Sequence, residues 1–411
     1  MTSSKLSVWV HVFLWGAVGI SLLQTALNLL NAIALCEQTP FYLTVRLLAG
    51  LTYIAVGIYT IVAFYAHRPN ALALMWTLFS MLVLNLTGCI VMICFEYNGH
   101  LLHSIISSVI WFIFWGTLML LNPQIMELYP KEERRWFLPE RVLLAIYVLS
   151  FCIYIVGACT AIRKPLDNGF YTADKQAQLA LLKLQKSSPK YTHSLSYDAY
   201  ALAGDTVCCD THYAALSAAK TDRSMLPAYC EAERQRALWH YAHLRYRGQE
   251  KAYDFFNRHG FYLKTVLRDK DKRQIGTFIV SPEEYASAHE AGKQFRCDSD
   301  AWQMIVDCEN HRLPQPMMEL FTLQRIYLED SYLCYEIIMP DYEPWMEGHF
   351  SEETMEGLIK KALIGLDGPC FIMADIDGRD LLFRFVYRSG KEHTRCVISN
   401  EHIHGLHHMF E

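Results

Sequence analysis

Val142-Leu-Leu-Ala-Ile-Tyr-Val-Leu-Ser-Phe-Cys-Ile-Tyr-Ile-Val-Gly-Ala-Cys-Thr-Ala-Ile162 contains no charged residue, and Arg163-Lys164 end it abruptly. About 20 apolar residues are needed to cross ~30 Å of hydrocarbon as a helix, and this stretch is long enough. Composition changes on either side of it. Residues 1–162 hold 13 Asp, Glu, Lys or Arg, with no Asp before Asp167, while 163–411 hold the other 66. The two parts carry net charges of about +1 and −6, so the overall −5 and the 52% hydrophobic content describe neither. The chain reads as a membrane domain joined to a water-soluble one. Nothing suggests disorder, and no basic excess points to nucleic acid.

Four further apolar segments precede it, at about 8–34, 42–66, 71–95 and 100–121, giving an expectation of five transmembrane helices. The first is too long for a cleavable signal peptide, lacks a small-residue cleavage site and is followed at once by another span. Lys5, Arg68 and the connector with Lys131, Arg134, Arg135 and Arg141 fall on one side, and Glu37 and Glu96 on the other. The positive-inside rule assigns the basic side to the cytoplasm. Five crossings then place everything after Ala161 outside it, although Arg163 and Lys164 lie on the outer side.

Polar residues within the spans are the first candidate site. Gln24, Asn28 and Asn31 are spaced to share one helix face. Arg46 lies one turn into the second segment, and Asn85 is midway along the third. Glu96, His100 and His103 lie near outer span ends. Together they suggest a polar pocket open to the outer leaflet, with Arg46 meeting an anionic headgroup or solute. The weightier alternative is interhelical hydrogen bonding, with an arginine shallow enough to snorkel.

Residues 163–188 read as a linker with a connecting helix over Ala173–Lys186. Beyond them the sequence repeats. Tyr262-Leu-Lys-Thr-Val-Leu-Arg268 parallels Leu382-Phe-Arg-Phe-Val-Tyr-Arg388, and Gly276-Thr-Phe-Ile-Val-Ser281 parallels Thr394-Arg-Cys-Val-Ile-Ser399. These offsets, 120 and 118, predict a hairpin loop two residues longer in the first copy. Upstream, Ser194–Leu202 parallels Glu319–Tyr327, Asp205–Cys209 parallels Asp330–Cys334, and Pro189 parallels Pro314, all at an offset of 125. Alternating β-branched and aromatic residues between polar turns indicate strands. The middles, Tyr229–Arg258 and Ser351–Leu366, read as helical. The expectation is two tandem α+β units, 189–290 and 298–411, each an antiparallel sheet with helices on one face.

The tail holds eight cysteines, an even number that permits disulfides outside the cytoplasm, with Cys334 and Cys396 both on expected strands. There is no Cys-x-x-Cys. His404 and His408 would share a helix face and could hold a metal, although a solvated terminus explains them as simply. Asp375-Ile-Asp377-Gly378 has its glycine too early for a calcium loop and reads as a turn. No nucleophile-elbow, zincin, P-loop or dinucleotide motif is present, and no cofactor is called for.

Residues 1–141 resemble an uncharacterised family of small four-helix bacterial integral membrane proteins, through four closely spaced spans and Leu121-Asn-Pro-Gln-Ile-Met-Glu-Leu-Tyr-Pro130. Residues 298–408 look like a small bacterial envelope domain of unknown function, through Asn310, Pro314 and the hairpin–helix–hairpin order. The resemblance implies a bacterial cytoplasmic-membrane protein and supplies no catalytic residues. The expected role is non-enzymatic: an envelope adaptor or sensor binding a protein or lipid partner, as a monomer or an oligomer. The alternatives are transport or lipid handling by Gln24, Asn28, Asn31 and Arg46, and a metal-dependent enzyme in the tail.

Overall fold

The computed structural model describes residues 8–95, 138–187, 191–192, 195–213, 216, 221–244, 249–317, 320–341, 351–363 and 368–401, with scattered positions between 105 and 121. The chain divides into two compact units, Met1–Leu179 and Ala180–Glu411.

In the first unit, four helices among the described residues are long and apolar enough to cross a membrane. They are α1 (Val8–Leu35, with a π-helical stretch over Phe13–Gly19), α2 (Pro40–Tyr65), α3 (Ala71–Phe95) and α4 (Leu138–Arg163). The expected span at 100–121 lies mostly outside the described residues, as do Glu96, His100, His103 and most of the basic connector. Contacts give the directions of the helices. Leu22 meets Gly57 and Leu29 meets Gly50, so α1 and α2 are antiparallel. Tyr42 meets Gly157 and Arg46 meets Tyr154, so α2 and α4 are antiparallel too. Asn70 meets Glu140, Met81 meets Tyr147 and Gly88 meets Ile155, so α3 and α4 run in the same direction. Glycines at these crossings let the backbones approach closely.

The linker is less free than its composition suggests. Thr39 N–H donates to the Phe170 carbonyl and Thr172 N–H to the Glu37 carbonyl, so 167–172 docks along the α1–α2 loop. Lys175 Nζ pairs with Glu37 Oε1 at 2.7 Å. The connecting helix, α5, spans Ala173–Ser187.

The second unit contains two five-stranded sheets of the same order. The first runs β1 (Tyr191–Thr192), β2 (Leu195–Ala203), β3 (Thr206–Tyr213), β4 (Tyr262–Arg268) and β5 (Gln274–Val280). Helices α6 (Leu226–Ala242) and α7 (Glu250–Arg258) fall between β3 and β4, and α8 (Pro282–Ala291) follows β5. After α9 (Ser299–Asn310), the second sheet has β6 (Gln315–Met317), β7 (Phe321–Glu329), β8 (Tyr332–Met339), β9 (Asp380–Tyr387) and β10 (Glu392–Ile398). Its crossover holds α10 (Glu352–Leu363) and α11 (Pro369–Asp377).

Neither sheet is purely antiparallel, which corrects the expectation. β3 and β4 pair in parallel, as do β8 and β9. The cause is the connection: a helical pair carries the chain back over one face, so the next strand enters in the same direction. Both middles are helix pairs, not only the first.

Irregularities in the ladders show the repeat most clearly. The register shifts between Tyr197 and Ala199 in one sheet and between Leu323 and Arg325 in the other, an offset of 126. Leu267 pairs Gly276 and Arg268 pairs Gln274, while Phe385 pairs Thr394 and Val386 pairs Glu392, all offset by 118. The last hairpins are therefore equal in length, and the first copy is longer between β3 and β4. The upstream offset is 126 rather than 125. Cys209 thus corresponds to Tyr335, and Cys208 to Cys334.

One core joins the face of the second sheet that carries Leu333, Tyr335, Ile337 and Phe383 to α9, α10 and α11, and it also takes in Met225, Ala228 and Ala232 at the start of α6. Asp377, in the stretch that resembled a calcium loop, is the last residue of α11. It accepts from Cys297 N–H (2.7 Å) and Trp302 Nε1 (2.8 Å), and Gly378 closes the helix at φ 68°. No disulfide joins the cysteines among the described residues. Cys334 and Cys396 lie on β8 and β10 with β9 between them, roughly 9–10 Å apart by strand spacing and too far to bridge.

Candidate functional site

Helix α1 presents Thr25, Leu29 and Ala32 towards its neighbours, and Leu29 packs against Gly50 of α2. This stripe decides which of the expected polar residues meet. Asn28, at its margin, lines a cavity of about 240 Å³. Gln24 and Asn31 lie further round the helix, exposed and outside the lining. Arg46 and Asn85 contribute from α2 and α3, and Tyr53, Tyr147, Phe151 and Tyr154 form much of the wall. The structure therefore brings together Asn28, Arg46 and Asn85 but not all four expected residues.

Arg46 is half-buried, with its guanidinium carbon 5.8 Å from the centre of the Tyr154 ring. Tyr154 is itself held from above: Gln38 Nε2 donates to its hydroxyl at 3.0 Å. Two turns along the same two helices, Tyr53 donates to Ser21 Oγ at 3.2 Å, and Tyr147 donates to the Met81 carbonyl at 3.3 Å. Among the described residues, the lining has one cation, two amides, a threonine hydroxyl and no carboxylate. Among the described residues, no acidic side chain pairs with Arg46. Such a surface offers hydrogen-bond donors and positive charge to a small anion.

Sequence reading missed the tyrosines, because four aromatics on two helices, Tyr53 on α2 and Tyr147, Phe151 and Tyr154 on α4, look like ordinary packing until the helices are assembled. The expected metal residues, His404 and His408, lie outside the described residues. Among the described residues, a different group converges, Glu250, Asp254 and His289 on α7 and α8. In the same unit, the Tyr213 hydroxyl donates to Glu233 Oε1 at 2.5 Å, and Arg236 lies 3.0 Å from that carboxylate. Burial and the adjacent Glu233 charge hold the Tyr213 phenol well above its ordinary range. Tyr213 and Glu233 are buried, and the cluster reads as structural.

No protein-family model, no curated protein and no solved structure matches the chain. The functional reading therefore rests on the chain's own geometry.

Proposed function

We propose that this chain is a multi-pass membrane protein whose helix bundle binds a small anionic group, such as a lipid headgroup or an anionic solute, at Arg46. The observation that carries this reading is the placement of Arg46 in a cavity with Asn28, Asn85 and Thr25 and, among the described residues, with no acidic partner. A cavity of about 240 Å³ is below the usual range for drug-sized ligands and suits a phosphate or carboxylate with a few attached atoms. An arginine held against an aromatic ring at membrane depth is costly unless something uses its charge.

The parallel run of α3 and α4 supports five crossings. Neighbouring spans can point the same way only if the chain returns across the bilayer between them, and 100–121 supplies an apolar stretch of suitable length. With that count, the positive-inside assignment puts the carboxyl-terminal unit outside the cytoplasm, in keeping with a bacterial inner-membrane protein. A reporter active only in the cytoplasm, fused after Glu411, should be silent.

Native mass spectrometry of the detergent-extracted protein tests the ligand. Wild type should carry an anionic adduct that Arg46→Gln loses and Arg46→Lys partly keeps. Equal adducts on wild type and Arg46→Gln would refute the reading.

A second reading, the envelope adaptor, is favoured by one observation. Ile279 on β5 and Val397 on β10 are the same position in the two sheets, and both are about half exposed on edge strands. Replacing both with Lys should abolish partner capture after crosslinking in intact membranes and leave the bundle's adduct unchanged.

A further inference from the structure

We propose that Glu250, Asp254 and His289 form a binding site for a divalent transition-metal cation, of the zinc or manganese type, in the first sheet unit. The two carboxylates are four residues apart on α7 and so share one face of the helix. His289 comes from α8, a helix fixed at its start by a reciprocal cap between Ser281 and Glu284. His289 Nε2 lies 3.8 Å from Glu250 Oε1 and 4.0 Å from Asp254 Oδ1, and the three donor atoms are all within 4.8 Å of one another.

These separations are too long for hydrogen bonds, which close at about 2.7–3.2 Å. They are close to what a shared ion requires. A contraction of a few tenths of an ångström would bring all three donors within ~2.0–2.2 Å of a common centre, the range of zinc–nitrogen and zinc–oxygen bonds.

A second, independent observation is the state of the imidazole. His289 Nε2 is enclosed by the protein and, among the described residues, has no hydrogen-bond partner, although it faces two carboxylates. Buried polar atoms are rarely left unsatisfied, and a metal ion would satisfy this one. The surroundings are ordered as those of a metal ligand usually are. The Tyr285 hydroxyl donates to Asp254 Oδ1 at 2.9 Å, fixing that carboxylate, and the Tyr285 ring stacks on His289 with centroids 5.7 Å apart.

The repeat supplies a third observation. At the offset of 118 that aligns Gly260 with Gly378, Ala252, Tyr253, Phe255 and Phe256 of α7 correspond to Cys370, Phe371, Met373 and Ala374 of α11, all buried. Asp254 corresponds to Ile372, which is buried, and Glu250 to Gly368. In the second unit packing fills this position with an apolar side chain, whereas the first unit places two carboxylates there. One nitrogen and two oxygen donors suit a borderline divalent cation, with the remaining positions open to water.

The test uses the full-length protein in detergent, stripped with chelator and titrated with zinc chloride or manganese chloride. Metal is then counted after gel filtration. One ion per chain is expected for wild type and a loss of at least tenfold in affinity for His289→Ala. Glu250→Gln, at a partly exposed position that does not threaten the fold, should also lose affinity. The double variant His404→Ala, His408→Ala should keep the ion. No stoichiometric metal on wild type, or loss in the terminal double variant with retention in Glu250→Gln and His289→Ala, would overturn the proposal.

Discussion

Asn70 and Glu140 meet inside the bundle: Asn70 Nδ2 donates to Glu140 Oε1 at 2.5 Å, and neither residue is more than 2% exposed. Asn70 sits at the α2–α3 turn and also donates to the Tyr59 hydroxyl at 3.1 Å, so α2, the start of α3 and the first turn of α4 are tied together at one end. Leaving a buried polar group such as the Asn70 amide without its partner costs about 1–3 kcal/mol. Glu140→Ala should therefore lower bundle stability by about 2 kcal/mol, and Glu140→Gln, which keeps an acceptor for Asn70, by less. Thermal unfolding of the two variants in detergent gives the comparison. Equal losses would mean that the acceptor kept by Gln does not sustain the contact, so that the hydrogen bond from Asn70 is not what holds this end together.

The contact between α2 and α4 depends on a missing side chain. A Cβ at Gly157 would lie 2.7 Å from Tyr42 Cζ and 3.0 Å from Phe170 Cδ2. Tyr42, Tyr154 and Phe170 pack as a ring cluster at this end, so the ring has little room to retreat. Gly157→Ala should cost about 1–3 kcal/mol, the usual range for overpacking. Gly169→Ala, where a Cβ would meet nothing within 4 Å among the described residues, is the control and should be neutral. Retention of the folded, monodisperse peak on heating separates the two.

The alternating pattern that identified the strands carries no information about strand direction, and this is why the parallel pairs β3–β4 and β8–β9 were read as antiparallel. The one-residue error in the upstream offset has a similar origin. Aligning Cys209 with Cys334 matched identical residues, but a shift of one puts a side chain on the other face of the sheet. Burial decides the register: Val207, Cys209 and Tyr213 match Leu333, Tyr335 and Met339. In the bundle, helical spacing grouped Gln24 with Asn28 and Asn31, but only the packed stripe of α1 shows which of them faces Arg46. Glu250 and Asp254 fall in a stretch that reads as helical, but nothing in the sequence marks them as a pair with His289, which reaches them only through the packing of α8 on α7.

Glu309 gives a pH prediction in the extramembrane unit. It accepts from the Cys370 N–H in the first turn of α11, yet burial pushes its carboxyl above the ordinary range and outweighs that bond and the nearby Arg312. An acid raised in the folded state is deprotonated first in the unfolded chain. Its contribution is fully present below the unfolded value of ~4.3 and is lost as pH rises through the folded value. Glu309→Gln should therefore raise the melting midpoint of this unit at pH 7 and change it little at pH 4. Tryptophan fluorescence, with Trp302 on the same helix, follows the transition. A gain at pH 4 as large as at pH 7 would contradict the assignment.

The sheet register makes a prediction about thiol reactivity. Cys208 and Cys209 are neighbours on β3 and so point to opposite faces, Cys209 into the core and Cys208 away from it. Cys334 is fully enclosed, and burial and the nearby Glu329 push its thiol up to about 11. Burial holds the Cys370 thiol well above its ordinary range. Only the thiolate attacks a maleimide, so both reactivity and access favour Cys208. In the folded protein at pH 7.5, N-ethylmaleimide should modify Cys208 well before Cys334 or Cys370, and unfolding in urea should remove the difference. Peptide mapping by mass spectrometry after timed quenching reads the order. Early labelling of Cys334 ahead of Cys208 would mean that β3 and β8 are set one residue away from the register described.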